Sequence, residues 1–134
     1  MNIYTFGYGN RGKEQARRLV KKILAENLLL VDVRISPRGW ASFWSKYTLE
    51  KALPDNYFWC QKWGNTGTKE NMVVDMWGGL AALPSQGRDC VLLCAELNPG
   101  TLEKPNCHRL LIADHWDDPD DRLTGIHNMG EFEI

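Results

Sequence analysis

Two runs of apolar residues constrain this chain more than any other feature: Leu28 to Val33, interrupted only by Asp32, and Val91 to Cys94. Neither alternates polar with apolar, so neither suits a strand with one wet face. Such runs are what a parallel sheet covered on both faces requires. The residues beyond the second run are equally informative. Val91-Leu92-Leu93-Cys94-Ala95-Glu96 gives way to a Gly/Pro-containing loop, and Asn106-Cys107-His108-Arg109-Leu110-Leu111 then opens another apolar stretch. With Asn106 read as an N-cap, thiol, carboxylate, imidazole and guanidinium meet at one strand-to-helix crossing.

Strand and helix patterns alternate along the rest of the chain. Ile3 to Tyr8 reads as a strand ending in the turn Gly7-Tyr8-Gly9-Asn10, and Lys13 to Glu26 carries Ala16, Leu19, Val20, Ile23 and Leu24 at helical spacing. Ser36 to Tyr47, rich in Gly, Ser and Trp, is an excursion over the strand ends before a short helix at Leu49 to Leu53. Tyr57 to Cys60 reads as a short strand, Cys107 to Trp116 as a helix and Leu123 to Met129 as a last strand. Glu70 to Leu83 reads as a helix despite Gly78 and Gly79, which cost about 1 kcal/mol each relative to alanine. The expectation is a single α/β domain over residues 1–134, three-layered and Rossmann-like, with a mostly parallel sheet between helices. Its 134 residues are enough for a real core.

Sixteen basic against seventeen acidic residues leave a net charge of −1, which does not support nucleic acid as the main partner. The basic residues between Arg11 and Lys22 read as the solvated face of a helix, and the aspartates between Asp114 and Asp121 as an acidic surface loop. No run approaches the roughly 20 apolar residues that span a bilayer. Met1 leads straight into a strand pattern rather than a signal peptide. The expected setting is therefore cytoplasmic, with Cys60, Cys90, Cys94 and Cys107 outside any disulfide framework.

In an open α/β sheet, ligands bind beyond the carboxyl ends of the strands. The turn Gly7, Tyr8, Gly9, Asn10 and Arg11, the strand exit at Arg34, Cys94 with Glu96, and the helix start at Cys107, His108 and Arg109 all fall at that edge. Cys94, Glu96, Cys107 and His108 are the candidate catalytic residues, as nucleophiles and proton carriers. Arg34, Arg109 and the turn residues are the candidate grip for a small anionic ligand, a nucleotide being the class considered first. The plain alternative for each arginine is a salt bridge with Asp32 or Glu96, and for each thiol a place in the core. Six tryptophans admit two readings. Trp40 and Trp44 would stack a base, or Trp59, Trp77 and Trp116 would fill the core while the others cover sheet edges.

Sharper motifs are absent or weak. A cysteine phosphatase loop needs an arginine six residues after its thiol, and Thr66, Glu96, Gly100 and Ala113 stand there. Gly7, Gly9 and Gly12 have the spacing G-x-G-x-x-G, and Lys13 follows Gly12 with Glu14 where a P-loop carries Ser or Thr; alone, this turn is a weak signal. With no Cys-x-x-Cys pair, a zinc site would have to be assembled from Cys107, His108, His115 or His127, so no metal is expected. The pattern points to no particular cofactor.

Gly7-Tyr8-Gly9-Asn10-Arg11, Asp32-Val33-Arg34 with Pro37, Tyr57 leading to Trp63-Gly64-Asn65, Cys94-Ala95-Glu96 and Cys107-His108-Arg109 succeed one another in an order similar to the DUF488 family. The resemblance spans nearly the whole chain and implies a compact three-layer α/β domain. The family pattern assigns no activity. The long Gly/Trp segment between Pro37 and Tyr47 departs from it. Residue chemistry therefore carries the functional expectation: an enzyme acting on a phosphate-bearing substrate, against a non-catalytic module that binds a nucleotide-like ligand or nucleic acid, or a structural domain with a buried polar network.

Overall fold

The computed structural model describes residues 2–38, 42–84, 87–98, 100–101, 103–115 and 129–134. In chain order they form β1 (Ile3–Gly7), α1 (Lys13–Ala25), β2 (Leu29–Asp32), α2 (Lys46–Ala52), β3 (Tyr57–Trp59), α3 (Met76–Ala82), β4 (Cys90–Cys94), α4 (His108–His115) and β5 (Met129–Glu131). The strands make one sheet in the order β3-β2-β4-β1-β5, and every described pairing is parallel. This is an α/β fold with helices packed on both faces.

The apolar runs fill the middle of the sheet, where both faces are covered. Leu29, Val31, Cys90, Leu92 and Cys94 turn to one face and pack with Ile112 and Ala113 of α4 and with Met76 and Leu80 of α3. Leu30, Val91 and Leu93 turn to the other face, against Ala16, Leu19 and Ile23 of α1 and Leu49 of α2. Each fully buried leucine contributes about 1.5–3 kcal/mol through its removal from water. Helix α1 stops where Asn27 takes a left-handed conformation at φ 50°, one that asparagine tolerates better than most residues.

Two expectations are corrected. The helix expected over Glu70 to Leu83 begins only at Met76, because the Asp75 carboxylate caps it by accepting from Gly78 N at 2.9 Å. The preceding residues are held as a loop, with Asn65 Oδ1 accepting from Gly67 N and Val73 N. The last described strand is Met129–Glu131; of the strand expected over Leu123 to Met129, residues 123–128 lie outside those described. Finally, the tryptophans are differently distributed. Trp77 is 81% exposed, whereas Trp44 and Trp63 are completely buried. Trp44 lies 5.2 Å from Tyr8 in a near-parallel stack and donates from Nε1 to Arg11 O, so it is a core residue and offers no face to a base. Trp40 and Trp116 lie outside the described residues.

Candidate functional site

The strand order itself marks one crevice. From β2 the chain moves outward to β3, whereas from β4 it returns past β1 to β5, so β2 and β4 are neighbours whose chains depart in opposite directions. Their carboxyl ends form the switch point at which open α/β sheets bind ligands. Asp32 pairs in register with Leu93, and Val33 N donates to Leu93 O at 3.1 Å, which sets Val33 and Arg34 beside Cys94.

Three buried side chains meet there. His108, the first residue of α4, has Nδ1 3.9 Å from Cys94 Sγ and 3.7 Å from Cys107 Sγ. Its Nε2 lies 2.6 Å from the carbonyl oxygen of Val33. A carbonyl only accepts, so Nε2 carries a proton and donates it. In the neutral ring Nδ1 is then an acceptor facing two thiols; in the imidazolium it becomes a donor to a thiolate. Hydrogen bonding from Cys107 pulls the Cys94 thiol well below the ordinary thiol range, with His108 adding to the effect and burial opposing it. The remaining proton stays on Cys107, which the same hydrogen bond and burial push up. Burial alone would lower His108, but its bonding to Cys94 and the Val33 carbonyl raises it. Cys94 and His108 each retain 7% exposure, so the cluster touches solvent.

Beside it lies a second buried network, made of charges. Arg34 Nε and Nη2 donate to the two Asp32 carboxylate oxygens at 2.8 and 2.6 Å, and Arg34 N donates to Asp32 Oδ1 at 3.1 Å. Tyr57 donates its hydroxyl to Asp32 Oδ2, and Trp59 Nε1 donates to Arg34 O at 2.8 Å. The guanidinium lies over the Tyr8 ring, 5.2 Å from its centroid, and Nη1 has no hydrogen-bond partner among the described residues. Burial works against the arginine's charge, but Asp32 outweighs it and raises the Arg34 pKa. The salt bridge with Asp32, one of the two alternatives read from sequence, is thus formed, and one donor of the fork is left over.

The other candidates are placed less directly. Arg109 is fully buried; it donates to the carbonyls of Glu96 and Leu97 and to the Glu131 carboxylate at 3.1 Å. Its partner is thus the carbonyl of Glu96, not the carboxylate. The Glu96 residue is exposed, and its backbone, not its carboxylate, bonds to the Cys94 thiol. Gly7 and Gly9 let the first turn press against the loop after β4: a Cβ at Gly7 would sit 1.8 Å from Glu96 O, and one at Gly9 2.8 Å from Ala95 O. Tyr8 N donates to Cys94 O, and Asn10 takes a left-handed φ of 60°. Arg11 folds back to donate to Gly7 O at 2.9 Å, with its guanidinium over the Phe6 ring. Tyr57 and Glu131 carry no local sequence signal for their roles, because their partners lie 25 and 22 residues away.

Cys94, Cys107 and His108 also form the cluster of donor atoms, all within 4.8 Å of one another, whose composition could hold a metal. Among the described residues no helix is long and apolar enough to cross a membrane. No family model, curated protein or solved structure matches this chain.

Proposed function

We propose that this chain is an enzyme acting on a nucleotide or another phosphate-bearing substrate, with Cys94 as nucleophile and His108 as proton carrier. The observation that carries this reading is the imidazole locked by Val33 O with Nδ1 turned to two thiols. Nδ1 holds the proton given up by Cys94, and the Sγ thiolate bonds to the electrophilic centre of the substrate. The bond to the leaving group breaks, and the leaving group takes that proton. Water then attacks the covalent intermediate and returns the thiol. Arg34 Nη1, buried without a hydrogen-bond partner among the described residues, supplies a positive donor for the anionic group. Arg109 acts as a positioning residue by holding the Glu96–Leu97 loop. The motifs resembling DUF488 proteins supply this cluster, and membership of that family belongs to the same proposal. A reducing cytoplasm suits four free, buried cysteines.

The rival is a non-catalytic nucleotide-binding module, and burial of Trp44 removes one stacking surface it would have used. Intact-mass measurement after incubation with a panel of nucleotides and phosphate esters separates the two. The enzyme gives a released product or an adduct on Cys94, both lost in Cys94→Ser. A ligand recovered intact from both proteins, with no adduct, overturns the enzyme.

A further inference from the structure

We propose that Cys94, Cys107 and His108 form a three-donor site for a soft divalent cation, best fitted by zinc, with the fourth position left to water or an exchangeable anion. The donor separations carry this. A tetrahedral zinc ion bound at about 2.3 Å from sulfur and about 2.0–2.1 Å from nitrogen sets sulfur and nitrogen about 3.6 Å apart. His108 Nδ1 stands 3.7 and 3.9 Å from the two sulfurs, within a few tenths of an ångström of that separation, and all three donor atoms lie within 4.8 Å of one another.

The surroundings fit as well. Metal-binding histidines almost always donate their other ring N–H to a carboxylate, carbonyl or water, which fixes tautomer and ring orientation. His108 Nε2 does so to Val33 O. Two thiolates, a neutral imidazole and a dication sum to zero charge, the sum a buried site tolerates best. The ligands come from the end of β4 and the start of α4, and the set lacks the oxygen donors a hard cation requires. The metal and an electrophile would compete for Cys94 Sγ, so the metal-bound form is the protected form of the thiol. The site goes beyond the enzyme reading and stands without it.

Cobalt(II) titration of the metal-free protein tests the site. One cobalt per chain should bind with the visible absorption and thiolate charge-transfer bands of tetrahedral coordination, and one zinc should displace it. Cys94→Ser, Cys107→Ser and His108→Gln should each weaken binding by more than the roughly 10- to 100-fold typical of losing an outer-shell partner. Cys60→Ala and Cys90→Ala should not. Absence of the tetrahedral spectrum, or its persistence in Cys94→Ser and Cys107→Ser, overturns the site. Should those variants fail to fold, the wild type decides: zinc should shield Cys94 and Cys107 from iodoacetamide, and equal labelling with and without zinc overturns the proposal. The two readings fail separately. Cobalt binding with an unreactive metal-free Cys94 removes the nucleophile and keeps the metal; a reactive Cys94 without cobalt binding does the reverse.

Discussion

The Asp32–Arg34–Tyr57 network and the Cys94–Cys107–His108 cluster occupy the ends of adjacent strands, yet their bonding is completed to different degrees. In the first, a bidentate ion pair and a phenol satisfy a fully buried carboxylate, leaving Arg34 Nη1 without a partner among the described residues. In the second, the carbonyl bond to Nε2 fixes the ring while Nδ1 lies 3.7–3.9 Å from the two sulfurs, longer than any strong hydrogen bond. A closed charge network holds the strand ends together. Soft donors turned toward one another, with a fixed tautomer and a little solvent contact, are arranged to accept something.

The contrast breaks most visibly through Asp32. Asp32→Ala strands the Arg34 charge in a buried site and should cost about 3–5 kcal/mol in denaturant unfolding. A loss below about 1 kcal/mol would show that the network is open to solvent and that Arg34 is as available as the thiols. Arg109→Met comes next. It leaves the Glu96 and Leu97 carbonyls without their donor and should cost about 2–3 kcal/mol, with ligand affinity tracking only the folded fraction. A weakened ligand at unchanged stability would return Arg109 to the binding grip.

Alkaline pH should act through the protonated groups of the interior. Burial, then Asp32, raises Tyr57 above its usual 10.0. Burial takes Cys60 and Cys90 from 9.0 to about 11 and about 12. Each holds its proton more tightly when folded, so its contribution is complete below the unfolded value and is lost as pH rises. Stability should therefore fall from about pH 9 upward. Tyr57→Phe should cost about 1 kcal/mol at neutral pH and make the alkaline decline shallower. The smallest effect belongs to the cluster: Cys107→Ala should change stability by less than about 1 kcal/mol, since the cavity is small and no charge is stranded. A large loss there would make the thiols core residues after all.

These differences also explain what the sequence discloses. The middle strands are legible because burial on both faces leaves a nearly continuous apolar run, and the meeting of Cys94 with Cys107 and His108 is implied by strand-to-helix order alone. The Arg34–Asp32 pair is two residues apart and is among the alternatives readable from spacing. Arg109's true partners are not: Glu131 arrives from β5, and the Glu96 carbonyl is a backbone atom that no residue type announces. Trp44 and Trp77 exchange their expected places because both belong to short elements with too few turns for a period to show which side is buried. The same holds for β5, three residues long at the sheet edge. Strand order, and with it the switch point between β2 and β4, has no local sequence signature.

The functional reading stands or falls on whether the Cys94–His108 contact makes a reactive thiol out of a nearly buried one. A time course of iodoacetamide labelling of the folded, metal-free protein decides it, with modified cysteines located by peptide mass spectrometry in wild type and His108→Gln. Cys94 should be labelled first, ahead of Cys60 and Cys90, and at least about tenfold more slowly once the imidazole is gone. Four cysteines labelled together at the rate of unfolding, with no dependence on His108, would contradict it.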